Sequence, residues 1–186
     1  MRKNFGAKPM LYPMPVFIIA AYSKDGKANA MNAAWGGLSE ENEISICISP
    51  EHKTTQNILD SCAFTVSMAD AKNIIPADYV GIVSGNDVPD KISKAGWTTE
   101  RSEFVNAPLI CELPMALECK LISYDAEACL LRGEIVNVNA DESILGEDGK
   151  IDLCKFSPIT YDSVHHGYHK LGEQVGKAFS DGKKLK

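Results

Sequence analysis

The segment 29–35, Asn-Ala-Met-Asn-Ala-Ala-Trp, has the composition of a strand against which a flat ligand can lie. Its small residues and the two asparagines, Asn29 and Asn32, leave room for a flat ligand to lie against the backbone, whose amides and carbonyls can then bond to the polar edge of a ring. A flavin ring fits that description. The same small residues would also allow close sheet packing, with Trp35 as a core aromatic. The segment therefore predicts either a site for a planar ligand or a tightly packed strand.

A second segment, Ser49 to Thr55, places hydroxyl groups and a lysine at the predicted start of a helix. Unpaired backbone amides and the helix dipole favour an anion at such a position, and Lys53 adds positive charge. We predict that this segment binds a phosphate group. The alternative is an ordinary helix start in which a threonine caps the first turn.

A third segment, 84–91, reads Ser-Gly-Asn-Asp-Val-Pro-Asp-Lys. Gly85 lets the backbone approach a ligand closely. Lys91, at the start of another predicted short helix, is positioned to face a phosphate or the electron-rich edge of a flavin. A solvent-exposed turn explains each of these residues singly.

Three histidines lie close together near the C-terminus and are candidate metal ligands. His165, His166 and His169 include pairs three and four residues apart, which would face one side of a helix, but no carboxylate or cysteine spacing completes a ligand set. We therefore assign no metal site and expect a solvent-facing tail. No serine, histidine and aspartate constellation stands out, so no catalytic side chain is assigned.

Composition limits the possible partners. The chain has 186 residues, 45% of them hydrophobic, which suffices for one sizeable core. Its 25 acidic residues outnumber 19 lysines and arginines, so neither nucleic acid nor an acidic membrane is an expected partner. The apolar run 16–21 is far shorter than the roughly 20 residues of a spanning helix. Six cysteines without a Cys-x-x-Cys pair indicate reduced thiols, and we expect a cytoplasmic protein.

The hydrophobic pattern has mainly the period of two that is typical of strands. Strands are predicted over 16–22, 28–35, 43–49, 63–68, 117–124 and 129–139, with the first two joined by a hairpin turn at Asp25-Gly26. A short helix after Pro50 should direct Ile58 and Leu59 inward. Residues 70–96 are richer in helix formers and are expected to cover one end of a barrel. The fold class is therefore mainly β, an antiparallel barrel with a few short helices in a single domain over 1–186.

Several short motifs occur along this chain in the same order as in a known family. The chain resembles the flavin reductase-like, flavoredoxin-type FMN-binding proteins in the order of its motifs, which are N-A-M-N-A-A-W, S-P-E-H-K-T-T-Q-N-I, S-G-N-D-V-P-D-K, A-P-L-I, L-E-C-K, R-G-E-I-V, D-G-K-I-D-L and Y-H-K-L-G-E. The resemblance covers about 15–176 and leaves a polar C-terminal tail. It implies a Greek-key-like split β-barrel and a homodimer with FMN near the subunit interface.

The resemblance also implies roles for individual residues. The residues that would line the isoalloxazine ring are Asn29, Met31, Asn32, Ala33, Ala34 and Trp35. The ribityl phosphate would be held by Ser49, Lys53, Thr54 and Thr55. The site would be closed by Ser84, Gly85 and Lys91. Phe156 and Tyr168 would either wall the flavin pocket or serve packing.

One departure from the family concerns the electron donor. Relatives often carry a histidine just before the Gly-Glu-Val segment, whereas this chain has Ala-Cys-Leu-Leu-Arg over 128–132. This departure counts against direct oxidation of NADH or NADPH through a histidine on that strand and leaves the expectation of FMN binding unchanged. The expected function is FMN-dependent oxidoreduction that passes electrons to a small-molecule or protein acceptor. The alternatives are an FMN electron carrier without a nicotinamide step, or a barrel that binds another planar ligand.

Overall fold

The structure is a computed structural model, and it describes residues 1–185. Its strands are β1 (Met14–Pro15), β2 (Phe17–Tyr22), β3 (Ala28–Ala33), β4 (Gly36–Glu40), β5 (Glu43–Cys47), β6 (Ala63–Met68), β7 (Thr99–Arg101), β8 (Pro108–Ile110), β9 (Met115–Asp125), β10 (Leu130–Ala140), β11 (Ile159–Asp162) and β12 (Gly167–Lys170). The helices are α1 (Lys53–Ser61), α2 (Ile74–Ile82), α3 (Lys91–Lys94) and α4 (Leu153–Phe156), with 3-10 turns at Glu142–Ile144 and Asp181–Leu185.

The main sheet is curled into a barrel. Its seven strands run β3-β2-β6-β9-β10-β5-β4, and every neighbouring pair is antiparallel. The two edge strands, β3 and β4, are joined by Ala34 and Trp35 alone. A flat sheet of this size would hold its edges about 29 Å apart, whereas the link reaches about 10 Å. The sheet must therefore curl until its edges approach each other, which confirms the predicted mainly-β barrel with a few short helices.

Strand β2 is buried on both of its faces. Ile19 faces the barrel interior, where it belongs to one apolar cluster with Phe64 and Leu131, all fully buried. Ile18 points outward into a second apolar cluster that includes Val80 of α2. This double burial explains why the β2 sequence is continuously apolar rather than alternating.

Helix α1 closes the barrel interior but begins differently from the prediction. Its N-cap is His52, which has an extended backbone and makes no side-chain capping bond, so the predicted threonine cap is wrong. Thr54 and Thr55 instead lie buried in the first turn. Ile58 is buried as predicted, whereas Leu59 is 42% exposed. Adjacent residues lie about 100° apart on a helix, so only one of the two can face the core.

Residues 70–96 pack on the outer face of β2 and β3, not across one end of the barrel as predicted. The histidines beyond Tyr161, predicted to lie in a solvent-facing polar tail, belong to the β11–β12 hairpin, so they do not have helical spacing. Within residues 1–185 no three potential ligands come together as a metal site. No described helix is long and apolar enough to cross a membrane, and all six cysteines are free.

The N-terminal segment is fastened to this late hairpin. Strand β1 pairs with β11, in a register that places Met14 opposite Tyr161. The Tyr12 hydroxyl donates a 2.7 Å hydrogen bond to Asp162, and the Thr160 hydroxyl donates to the Met14 carbonyl at 2.8 Å. Strand β1 and the β11–β12 hairpin therefore depend on each other.

A buried lysine connects the two helices outside β3. Lys91 is 2% exposed, and its ammonium donates to the carbonyl oxygens of Val80 at 3.0 Å and Val83 at 2.8 Å. Helix α2 ends at Ile82, so these contacts lie at its carboxyl end, where a cation is favoured. Burial lowers the pKa of Lys91 from 10.5 to about 8.

This lowered pKa predicts a specific dependence of stability on pH. Between about 8 and 10.5 the unfolded chain holds the Lys91 proton and the folded chain does not, so stability rises with pH. We expect the unfolding free energy of the natural protein, relative to Lys91→Met, to increase by about 1–3 kcal/mol across that window. Chemical denaturation of both proteins at several pH values measures this difference.

Lys94→Met is the matched control. Lys94 is exposed and pairs with Asp90 at 3.2 Å, so this variant should follow the natural protein. If Lys91→Met instead has the same pH dependence as the natural protein, the buried ammonium does not have the role described here.

Candidate functional site

Asn29 of β3 lies at the centre of the site. Its side chain is 5% exposed, and its Nδ2 donates a 2.6 Å hydrogen bond to the Thr54 hydroxyl. Its Oδ1 is buried and has no partner among the described residues. A Cβ added at Gly85 would lie 2.2 Å from this Oδ1, so glycine is required there by close approach. An unpaired buried acceptor costs about 1–3 kcal/mol, and a ligand that donates a hydrogen bond would offset this cost.

The start of α1 lies beside Asn29 through Thr54. The backbone amides of the first turn have no acceptor within the helix, and no side chain caps them. The Ser49 hydroxyl donates to the Glu51 carboxylate, and the Thr55 hydroxyl donates to the Ser49 carbonyl at 2.8 Å. These hydroxyls are engaged within the loop itself. The groups left to meet an anion are therefore the first-turn amides, Lys53 and the Thr54 hydroxyl. Lys53 forms no ion pair in the described chain, and the Thr54 hydroxyl accepts from Asn29 but keeps its own proton free to donate.

The loop after α2 packs against the loop before α1. The Asn86 side chain donates to the Glu51 carbonyl at 3.2 Å, and the exposed Ser84 hydroxyl accepts from the Asn86 amide at 3.1 Å. The structure thus brings Asn29, Thr54 and Gly85 together. Lys91 differs from the expectation because its ammonium is directed at the end of α2. A direct contact between Lys91 and a ligand stays a prediction.

A cavity of about 290 Å³ adjoins the end of β3. Its lining consists of Asn32, Ala33, Ala34, Asp78, Gly81, Ile82, Tyr161, His166 and Tyr168. The Tyr168 hydroxyl donates to the Asp78 carboxylate at 2.8 Å. Burial and this bond to Asp78 raise the pKa of Tyr168 to about 12, so the hydroxyl keeps its proton. Three of the predicted strand residues and Tyr168 therefore line one cavity.

Other predicted residues lie elsewhere. Asn29 and Asn32 are on opposite faces of β3, because side chains alternate along a strand. Met31 is 9% exposed and packs in the barrel interior. Trp35 is 55% exposed and lines a separate apolar cavity of about 380 Å³ with prolines of the N-terminal segment. Phe156 is buried on α4, and none of the cavities described here includes it.

Sequence reasoning missed the residues that complete the cavity. Tyr161 lies directly opposite Tyr168 in the β11–β12 hairpin, and their ring centroids are 5.9 Å apart. Recognition of a hairpin around His166 and Gly167 would have paired these tyrosines. Asp78 has no comparable signal, because its contact with the cavity depends on how α2 packs against β3.

Known proteins share this fold. The sequence model described as "Flavin reductase like domain" matches residues 10–168. The flavoredoxin of Desulfovibrio vulgaris (Miyazaki F) is 37% identical, with a TM-score of 0.93 over 98% of this chain and 100% of its own. The flavoredoxin of Methanosarcina acetivorans is 26% identical, with a TM-score of 0.89 over 100% of both chains.

A more distant structure shares the fold. The FMN-binding domain of a flavin reductases-like enzyme from Shewanella baltica is 20% identical, with a TM-score of 0.77 over 88% of both chains. The domain match covers well over half of the sequence, and the split-barrel architecture is common to these structures. The chain therefore belongs to the flavin reductase-like family.

Proposed function

We propose that the protein binds FMN and uses it to transfer electrons as a flavin-dependent oxidoreductase. The observation that carries this proposal is the buried, unpaired Oδ1 of Asn29, which lies beside the uncapped start of α1. Similar chains named flavoredoxins, and a structure of the same fold described as FMN-binding, support the choice of ligand. The six free cysteines support a cytoplasmic location.

The residues present fit an elongated ligand with an anionic end and a ring. The first-turn amides of α1 and Lys53 suit a phosphate, because amides and a cation converge there. The Asn29 Oδ1 suits a hydroxyl donor, and the cavity at Asn32, Ala33 and Ala34 suits one end of a planar ring. Bound FMN supplies the ability to accept and release electrons singly or in pairs. The protein binds and orients it, and no side chain need act as a nucleophile.

Removal of the unpaired Asn29 Oδ1 should weaken FMN binding. We expect Asn29→Ala to raise the dissociation constant of FMN about 3- to 10-fold, because one hydrogen bond to a neutral donor is lost. Quenching of flavin fluorescence during titration of the apoprotein measures this constant.

Asn106→Ala serves as the control, since exposed Asn106 bonds to Arg101 and lies outside the site. Its dissociation constant should match that of the natural protein. An apoprotein that fails to bind FMN at all would refute the proposed function.

The electron donor is proposed to be NADH or NADPH. The alternative function, an electron carrier, is favoured by one observation. Arg132, at the end of the segment 128–132 that lacks a histidine, is held by Glu43 through bonds of 2.9 and 2.8 Å. Because that guanidinium is already bonded to Glu43 on the outside of the barrel, it is not free to replace the histidine in binding a nicotinamide. The acceptor is proposed to be a small molecule or a redox protein.

Anaerobic stopped-flow mixing distinguishes the two functions. For an oxidoreductase, NADH or NADPH should bleach the absorbance of bound flavin in a reaction that saturates with nicotinamide concentration. Free FMN mixed with the same nicotinamides is the control. Bleaching by a reduced ferredoxin, with none by either nicotinamide, would establish the carrier instead.

A homodimer is proposed from the surface at the β3–β4 junction. Both edge strands pair on one side only, and Trp35 and Leu38 are 55% and 70% exposed beside them. Exposed apolar side chains next to unpaired strand edges favour association with a second copy. FMN near such an interface would lie close to Trp35, as the family resemblance implies.

Light scattering of the FMN-loaded protein should give about twice the chain mass of 20.2 kDa. Trp35→Arg should shift the population towards monomer, because a charge replaces an apolar contact. Phe104→Arg, which changes an aromatic side chain of 56% exposure outside the junction, should leave the dimer intact. A natural protein that is monomeric with FMN bound would overturn this proposal.

A further inference from the structure

His166 is placed at the Asn32 cavity by an unusual backbone. It occupies the turn between β11 and β12 with a φ of 56°, in the left-handed region that side chains with a Cβ adopt rarely. Its Nδ1 lies 2.9 Å from the Tyr161 hydroxyl, and both residues line the cavity together with Asn32. The tyrosine thus fixes the imidazole at the cavity wall. The side chain is also exposed, so it can exchange protons with solvent.

The partner of His166 permits either charge state. A tyrosine hydroxyl can donate to a neutral imidazole nitrogen or accept from a protonated one, so the bond survives a change of charge. The neighbouring His165 has a different partner. Its Nδ1 lies 2.7 Å from a carboxylate oxygen of Asp162. The cavity lining contains His166 and neither His165 nor His169.

The other titratable groups of the cavity come from three elements. Tyr161 lies on β11, Tyr168 on β12 and Asp78 on α2, and the Tyr168 hydroxyl is bonded to Asp78. The pKa of Tyr168 is raised to about 12 by burial, so this group does not change charge near neutrality. Histidine is the residue type of this lining whose ordinary pKa lies near neutral pH.

We propose that His166 is the proton-exchanging group of the Asn32 cavity and takes up a proton when a ring bound there gains negative charge. The inference rests on the proposed function. When a donor delivers two electrons to bound FMN, one proton adds to the ring and a second passes from solvent to Nε2 of His166. The donor is oxidised and the ring is reduced, and no bond to the protein forms. Reoxidation returns both protons to solvent.

The test is the pH dependence of the midpoint potential of the FMN-loaded protein. Its slope reports how many protons accompany two electrons. Over about pH 5.5 to 8.5, which brackets the ordinary range of histidine, the natural protein should take up as many as one proton more per two electrons than His166→Asn. Asparagine suits this position because it tolerates the left-handed backbone and does not titrate.

His165→Asn is the matched control, since it makes the same change one residue away on the side chain bonded to Asp162. It should keep the slope of the natural protein. Circular dichroism verifies that both variants fold. Equal slopes for His166→Asn and the natural protein, or an equal loss in His165→Asn, would overturn the inference while FMN binding stands. A protein that binds no FMN would overturn the proposed function together with this inference.

The proposed coupling between reduction of the bound ring and protonation of His166 can also be measured on the histidine ring itself. In nuclear magnetic resonance titrations, His166 should take up its proton at a higher pH in the reduced FMN complex than in the oxidised one. Tyr161→Phe should alter the His166 titration and leave that of His165 in place. A His166 pKa that is the same in both complexes contradicts the proposal.

Discussion

The two-residue link between β3 and β4 is the constraint on which the rest of the structure depends. Because the edges of the main sheet must approach each other, the sheet curls and encloses an interior that large side chains fill. The fit is close: a Cβ added at Gly133 would lie 2.3 Å from the fully buried ring of Phe64. The register of β10 against β9 shifts beside this glycine, as expected where a strand bends sharply. Closure also turns the other face of β2 outward, where α2 and α3 cover it.

This outer layer supplies one wall of the proposed ligand site. Helices α2 and α3 are held to each other by Lys91, whose buried charge is satisfied by carbonyl oxygens of the same chain. Asn29 differs from Lys91, because its Nδ2 is hydrogen-bonded whereas its buried Oδ1 has no partner among the described residues. Asn57 of α1 likewise has a buried Oδ1 without a partner among the described residues, although its Nδ2 lies 3.4 Å from the Ala21 carbonyl. Buried polar atoms are normally paired, so the unpaired oxygen of Asn29 beside uncapped amides indicates a binding role.

The sequence predicted the local elements better than their assembly. Alternating residues identified β5, and Asp25-Gly26 correctly marked the β2–β3 hairpin. The period of two also determined that Asn29 and Asn32 face opposite ways, an implication that the planar-ligand hypothesis overlooked. Asp78 and Tyr161 come from distant parts of the chain to line the cavity beside β3, and no local pattern encodes this arrangement. Lys91 illustrates the same limit, since a lysine in a polar segment gives no sign that it will be buried.

The pairing of β1 with β11 governs when the cavity can exist. These strands are far apart in sequence, and β11 also carries Tyr161, one wall of the cavity. A nascent chain can form the β2–β3 hairpin early, but it has no cavity until nearly the whole sequence has been synthesised. The ring ligand thus has no complete site during translation. Loading with cofactor is therefore expected to follow folding, and partly made chains should not sequester the ligand.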